Sequence, residues 1–257
     1  MSLAFLTSAR SAVGLVRSGN EDSALASARL IAVADGMGGH AAGEVASQLA
    51  INTLCEAALA FTSDAVDLES QDDLYLNSIY SIDAAIAAAI ADSPALSGMG
   101  TTLTSLFLRG QQVALLHIGD SRAYRLRGNS FEQLSVDHTV IQELLSQGAL
   151  SESDIATHPQ RSVLTQALMG EGKLELPLPI VDAKVNDRFL VCSDGLSSVL
   201  AEKEIKALIK GKDLDTAVAA LFEATYINGA PDNVTIILAE VVSEDQPILF
   251  EKLGAAG

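Results

Sequence analysis

The chain has 257 residues, 49% hydrophobic and 19% charged, a composition that supports one large domain with a full core and excludes a disordered or fibrous protein. Its 16 Lys and Arg against 33 Asp and Glu leave a formal charge of −17, which repels a phosphate backbone and argues against nucleic acid as a partner. Two cysteines are too few for a disulfide framework and point to a reducing compartment.

Met1 to Val16 contains Arg10 and lacks the apolar core of a secretion signal. No run of about 18 uninterrupted apolar residues occurs, so no membrane span is expected within this chain and the cytoplasm is the expected location. The first strand is predicted at Leu30 to Ala34. Two helical patterns follow, Gly43 to Phe61 and Leu74 to Ala91, with Ala, Leu and Ile at three- and four-residue spacing. Strands are then predicted at Thr101 to Leu108, Val113 to Ile118 and Ala123 to Leu126, and a helix at Val140 to Ser146. The last part reads as a strand at Arg188 to Cys192, helices at Glu202 to Ile209 and Asp215 to Tyr226, and a strand at Val234 to Val241. This order does not alternate as a doubly wound sheet would, so antiparallel sheets flanked by helices are expected. Residues 1–242 read as one domain, and Ser243 to Gly257, which loses periodicity, as a tail or the start of a linker.

Acidic residues recur where apolar runs end: Asn20-Glu21-Asp22, Asp35-Gly36-Met37-Gly38-Gly39-His40, Gly119-Asp120-Ser121-Arg122, Ser193-Asp194-Gly195 and Asp232-Asn233. A lone Asp beside Gly is an ordinary turn, but five such sites in one chain suggest strands that deliver carboxylates to a common place. Converging carboxylates repel one another unless a hard cation joins them. Four scattered histidines and no Cys pair at metal spacing leave zinc without its usual ligands, so Mg²⁺ or Mn²⁺ is the expected ion.

Taken together, Arg17-Ser-Gly-Asn-Glu21-Asp22, Asp35-Gly-Met-Gly-Gly-His40, Gly100-Thr-Thr-Leu103, His117-Ile-Gly-Asp120-Ser-Arg122, Leu164-Thr-Gln-Ala-Leu168, Cys192-Ser-Asp194-Gly-Leu196 and Asp232-Asn-Val-Thr235 resemble the ordered motifs of type 2C (PPM) metal-dependent protein serine/threonine phosphatases. His158-Pro-Gln-Arg-Ser162 and the Asp-Gly-Met-Gly-Gly-His run resemble the bacterial branch, in particular actinobacterial enzymes that oppose Ser/Thr kinases. The resemblance implies an α+β fold, an α-β-β-α sandwich of two central antiparallel sheets flanked by helix pairs. It implies hydrolysis of phosphoserine and phosphothreonine by a water bridging two cations, Mn²⁺ or Mg²⁺, with a third ion beside them. Asp35 is then the bridging ligand, Glu21 and the Gly36 carbonyl complete one ion, Asp194 and Asp232 the other, and Asp120 with Asp194 holds the third. Arg17 would bind phosphate, Asp22 would orient water, and His40 would protonate the leaving group, although Met37 takes the place that His holds in many animal members. Asp137 to Leu164 resembles a flap beside the cleft; for His117, His138 and His158 structural roles are expected. Implied partners are phosphorylated proteins, among them Ser/Thr kinases and their substrates, met by a monomer. Some members continue into a membrane anchor, so the chain is cytoplasmic or the cytoplasmic domain of a longer protein.

Other enzymes fit less well. A cysteine-dependent phosphatase needs an Arg six residues after its nucleophile, but Cys55 and Cys192 are followed at that distance by Phe61 and Ser198. No P-loop motif is present. An inactive phosphopeptide-binding module on the same fold is disfavoured because every expected carboxylate and Arg17 are retained.

Overall fold

The structure is a computed structural model that describes residues 3–38, 42–63, 65–151, 154–155, 158–172, 174, 176–244 and 246–257. Strands β1 (Ala4–Ala12), β2 (Asp22–Ala26) and β3 (Leu30–Met37) lead into helices α1 (Ala42–Phe61) and α2 (Leu68–Asp92). Five strands follow: β4 (Gly100–Thr101), β5 (Leu103–Arg109), β6 (Gln112–Ile118), β7 (Arg122–Arg127) and β8 (Ser130–Gln133). Helix α3 (Val140–Ser146) precedes β9 (Ile180–Asp182) and β10 (Arg188–Cys192). Helices α4 (Asp194–Ser197), α5 (Glu202–Ile209) and α6 (Leu214–Ile227) lead to β11 (Val234–Val242) and β12 (Glu251–Gly254).

The strands form two antiparallel sheets, one ordered β1-β11-β10-β7-β8 and the other β12-β2-β3-β5-β6-β9, with β4 against β3. Alternation along single strands explains the layering. Ile31 and Val33 of β3 face the inter-sheet core with Phe189, Val191 and Ile237, whereas Leu30, Ala32 and Ala34 face α1 and α2. Likewise Leu190, Ile236 and Leu238 face Leu221 and Phe222 of α6. Because both faces are buried, these strands read as unbroken apolar runs, and each buried Leu, Ile or Phe stabilises the fold by roughly 1.5–3 kcal/mol. The α-β-β-α sandwich implied by the motifs is the architecture observed.

Helix starts are capped by side chains: Asp67 accepts from Ser70 N, Thr139 from Gln142 N and Asp213 from Thr216 N. By length and composition α2 could cross a membrane, although Asp72, Asp73 and Asp83 interrupt its apolar run. It instead packs beside α1 with Tyr75, Ile79, Ile82 and Ile86 in the core. Phe61, Tyr75 and Phe107 close that layer, with ring centroids 5.0–5.3 Å apart.

The sequence reading placed residues 251–254 in a tail, but they form an edge strand on β2, from Glu251 opposite Ala26 to Gly254 opposite Ser23. Ala255 N donates to Asp22 O at 2.8 Å, and a Cβ on Gly254 (φ +70°) would come 2.1 Å from that same carbonyl. Four residues without apolar alternation carry no strand signal of their own; the pairing comes from the exposed edge of β2.

Candidate metal centre

Strand ends bring the expected residues together. Glu21 immediately precedes β2, Asp35 and Gly36 lie near the end of β3, and Asp120 lies in the turn from β6 to β7. Asp194 opens α4 just after β10, and Asp232 comes just before β11. Arg17, Glu21, Asp35, Gly36, Asp120, Asp194 and Asp232 all line one cavity of about 460 Å³. Asp22 lies beneath it, wholly buried and opposite Asp35 in the strand register. One carboxylate oxygen of Asp22 accepts from Ser193 Oγ at 2.7 Å, and the other, Oδ1, has no hydrogen-bond partner among the described residues. His40 lies outside the described residues.

Close backbone approach explains the glycines. A Cβ on Gly36 would meet Gly43 O at 2.1 Å, and one on Gly43 would meet Glu21 Oε2 at 2.4 Å, so the start of α1 can press on β3 and Glu21 only with glycine at both positions. Asp35 is held through its backbone: its carbonyl accepts from Thr101 Oγ1 and Thr102 N, both at 2.9 Å, and its N–H donates to Thr102 Oγ1 at 3.0 Å. Asn233, whose role the sequence reading missed, accepts from Glu21 N and donates to the carbonyls of Val13 and Gly19, each at 2.8 Å. It fastens the loop carrying Arg17 and Glu21 to the start of β11. The only hint was its place beside Asp232.

These carboxylates titrate unusually. Burial, followed by the charges of Asp22 and Asp194, raises Asp35 well above the ordinary range. Burial raises Asp22 and Asp120 to about 7, and Asp194 to about 6, with Asp232 the next cause for Asp194. Glu21 is raised, again chiefly by burial. Arg17 pairs with Asp232 at 2.6 Å, so the residue expected to bind phosphate is held by an expected metal ligand. Nearby Arg122 is engaged by Asp137, with three hydrogen bonds of 2.6–3.0 Å.

Among the described residues, no three acidic, His or Cys side chains already converge as a metal cage. Mutual repulsion opposes such convergence: two like charges 4 Å apart cost about 4 kcal/mol at an effective dielectric of 20. The donor set nevertheless suits a hard divalent cation, because it consists of oxygens alone and is short of positive charge, and beside it the buried Oδ1 of Asp22 has no hydrogen-bond partner among the described residues.

A second cavity of about 750 Å³ adjoins the first and shares Asp120, Ser162 and Asp194 with it. Its outer wall is the flap segment, through Thr139, Ile141, Leu145 and Arg161. His117 bonds Thr104 Oγ1 at 2.8 Å and Val136 O at 2.9 Å through its two ring nitrogens, and burial pushes its pKa down to about 3. Its ring lies 4.8 Å from that of His138, whose Nδ1 accepts from Gly119 N. His158 Nδ1 accepts from Gln160 N within a local turn.

Residues 19–239 match the family model described as Protein phosphatase 2C. The serine/threonine protein phosphatase PstP of Mycobacterium tuberculosis is 44% identical over 248 residues, covering 94% of this chain and 46% of that protein. The chain therefore spans about half the length of this relative. The serine/threonine phosphatase stp of Listeria monocytogenes is 36% identical over 213 residues, covering 82% of this chain and 84% of that protein. Among solved structures, the catalytic domain of PstP in complex with two manganese ions superimposes with a TM-score of 0.85 at 39% identity, covering 94% of this chain and all of that one. The chain belongs to the protein phosphatase 2C family.

Proposed function

We propose that this member of the protein phosphatase 2C family is a metal-dependent hydrolase of phosphoserine and phosphothreonine in proteins, including Ser/Thr kinases and their substrates. One observation carries the reading: five carboxylates and one Arg line a single cleft. Glu21, Asp35, the Gly36 carbonyl, Asp194 and Asp232 are the ligands proposed for two core ions, Mn²⁺ or Mg²⁺; the two manganese ions of the PstP complex support that number. Bound there, divalent cations supply Lewis acidity, drawing charge from phosphoryl oxygens and easing ionisation of water near neutral pH.

The remaining steps fall to the chain's own groups. Arg17 leaves Asp232 and receives two phosphoryl oxygens on its planar guanidinium. Asp22 uses its unpartnered Oδ1 to orient water from below. Asp120 and Asp194 line both cavities and would be the residues to hold a third ion. His40 is assigned as the general acid; His40→Ala should then cost about 10²–10⁴-fold on phosphothreonine peptides and far less on p-nitrophenyl phosphate. The cytoplasm, where kinases meet their substrates, is the proposed location, and a monomer the proposed state.

Hydrolysis of a phosphothreonine peptide with Mn²⁺ and with excess EDTA tests the reading. Turnover that survives confirmed metal removal would defeat it. Calorimetric Mn²⁺ titration of Asp120→Ala should find one ion fewer than in the wild type, and equal stoichiometry with equal turnover would remove the third-ion assignment.

A further inference from the structure

We propose that Asp83, on α2 and outside the carboxylate cleft, is a positioning residue for protein substrates, because its carboxylate clamps the chain where the flap rejoins the domain. The inference rests on the phosphatase reading of the cleft and adds to it a residue that shapes the substrate side.

Asp83 is only 5% exposed. Its two oxygens accept separately from Gly170 N and Gly172 N, each at 2.7 Å. Both glycines adopt left-handed backbone, with φ of +76° and +69°. A Cβ on Gly170 would come 2.7 Å from the backbone nitrogen of Ala87, one turn along α2. The loop is thus pressed on the helix with two N–H groups turned toward one carboxylate, a concave backbone arrangement that favours an anion. A helix interior does not require an Asp at this place; the loop does.

From this clamp the chain runs back to the cleft through fixed points. Leu168 exchanges backbone hydrogen bonds with Thr101 at 2.9 and 3.0 Å, and Thr101 Oγ1 bonds the Asp35 carbonyl. Leu164 forms a bridge with Thr139, the N-cap of α3. Ser162 and Leu164 line the carboxylate cavity, and Ser162 also lines the larger one beneath the flap. The other root of the flap is fixed by Asp137 on Arg122 and by His138 N on Gly119 O, and it is tied to the first by Thr165 N on His138 O at 2.9 Å and Val140 N on Val163 O at 3.0 Å. Release at Asp83 therefore removes the anchor at the far end of the segment and loosens the wall from that end, while Leu168, Thr165 and Leu164 still tie its middle to Thr101, His138 and Thr139. A peptide that extends under the flap touches this wall. A small aryl phosphate held at the carboxylates reaches only its inner end, at Ser162 and Leu164.

The test compares wild type, D83N and D83E, loaded with Mn²⁺, on a phosphothreonine peptide and on p-nitrophenyl phosphate, with hydrogen exchange followed over residues 162–172. D83N should raise KM for the peptide about tenfold, the scale on which supporting residues act, and speed exchange in that segment. Its kcat and KM for p-nitrophenyl phosphate should stay within about twofold of wild type, because the interactions with that substrate are intact. D83E, which keeps the charge but lengthens the arm, should fall between them. Equal losses on both substrates, or a lowered Tm with peptide KM unchanged, would show a merely structural clamp and overturn the proposal. Should D83N not fold, D83E decides: faster exchange at 170–172 with unchanged peptide KM overturns it equally. Wild type inactive on both substrates would instead bring down the phosphatase reading, and this proposal with it.

Discussion

Strands β7 and β10 each join two ends of the sandwich where acidic residues are treated differently. At the end holding Arg127 and Arg188, Asp187 accepts from Arg127 Nε at 2.7 Å and Nη2 at 2.6 Å, and from Lys184 N at 2.8 Å. Asp182 meets Arg127 and Arg125, and Glu240 meets Arg188 at 2.7 Å. At the end holding Asp120 and Asp194, five carboxylates line a cavity in which, among the described residues, Arg17 is the only lining cation, and burial raises several of them. The side chains are chemically the same. What separates Asp187 from Asp35, Asp120 and Asp194 is that the fold supplies Asp187 with a guanidinium, 60 residues away in sequence; at the cleft end Arg17 reaches Asp232.

The sharpest way to break this comparison is Asp35→Asn. Turnover should fall by roughly 10²–10³-fold, the loss typical of removing an electrostatic stabiliser, while Tm of the metal-free protein holds or rises because a crowded charge is gone. Full activity with normal Mn²⁺ affinity would mean that Asp35 is no more a ligand than Asp187 is.

Arg17→Ala comes next. Losing charge-assisted hydrogen bonds to phosphate, worth about 1.5–3 kcal/mol, should lower kcat/KM on a phosphopeptide by about 10–100-fold. Because the Arg17–Asp232 pair is half exposed, stability should change by less than about 1 kcal/mol. Unchanged kinetics would leave Arg17 as a partner of Asp232 alone.

Asp187→Ala sharpens the comparison from the paired end. Asp187 is 2% exposed, and removing it strands part of Arg127, so stability should fall by about 3 kcal/mol in denaturant unfolding. Turnover per folded molecule should not change; a loss beyond the unfolded fraction would show that the two ends are coupled.

The comparison extends to pH dependence. Asp22 and Asp120 are raised to about 7 and Asp194 to about 6, against about 3.9 in an unfolded chain. Between about pH 4 and 7 the metal-free folded protein binds protons that the unfolded chain has released, so its stability falls as pH rises through that window and levels above it. Mn²⁺ displaces those protons, and thermal scans with saturating Mn²⁺ should show the slope flattened or reversed. A metal-free Tm that climbs from pH 5 to 7 would contradict the raised values.

Much of this was legible along the chain because it is local. Apolar runs bounded by Asp-Gly, Gly-Asp or Asp-Asn marked the ends of β3, β6 and β10 and the start of β11, and the three- and four-residue spacing of Ala, Leu and Ile marked α1, α2 and α6. Strand β1 was missed because its residues Ala4–Ala12 mix polar with apolar at a sheet edge, and β12 because its pairing is borrowed from β2. By itself the sequence pointed to antiparallel sheets flanked by helices and nominated the carboxylates, since turn chemistry and periodicity act between neighbours, and the motif resemblance supplied the four-layer sandwich. Only the tertiary structure decided which carboxylates share a cavity and which find an Arg, that Asn233 ties Glu21 to β11, that Asp22 lies beneath Asp35 with an oxygen unpartnered, and that Asp83 holds Gly170 and Gly172. These are pairings across tens to hundreds of residues, fixed by strand register and close backbone approach, and a linear pattern does not encode them.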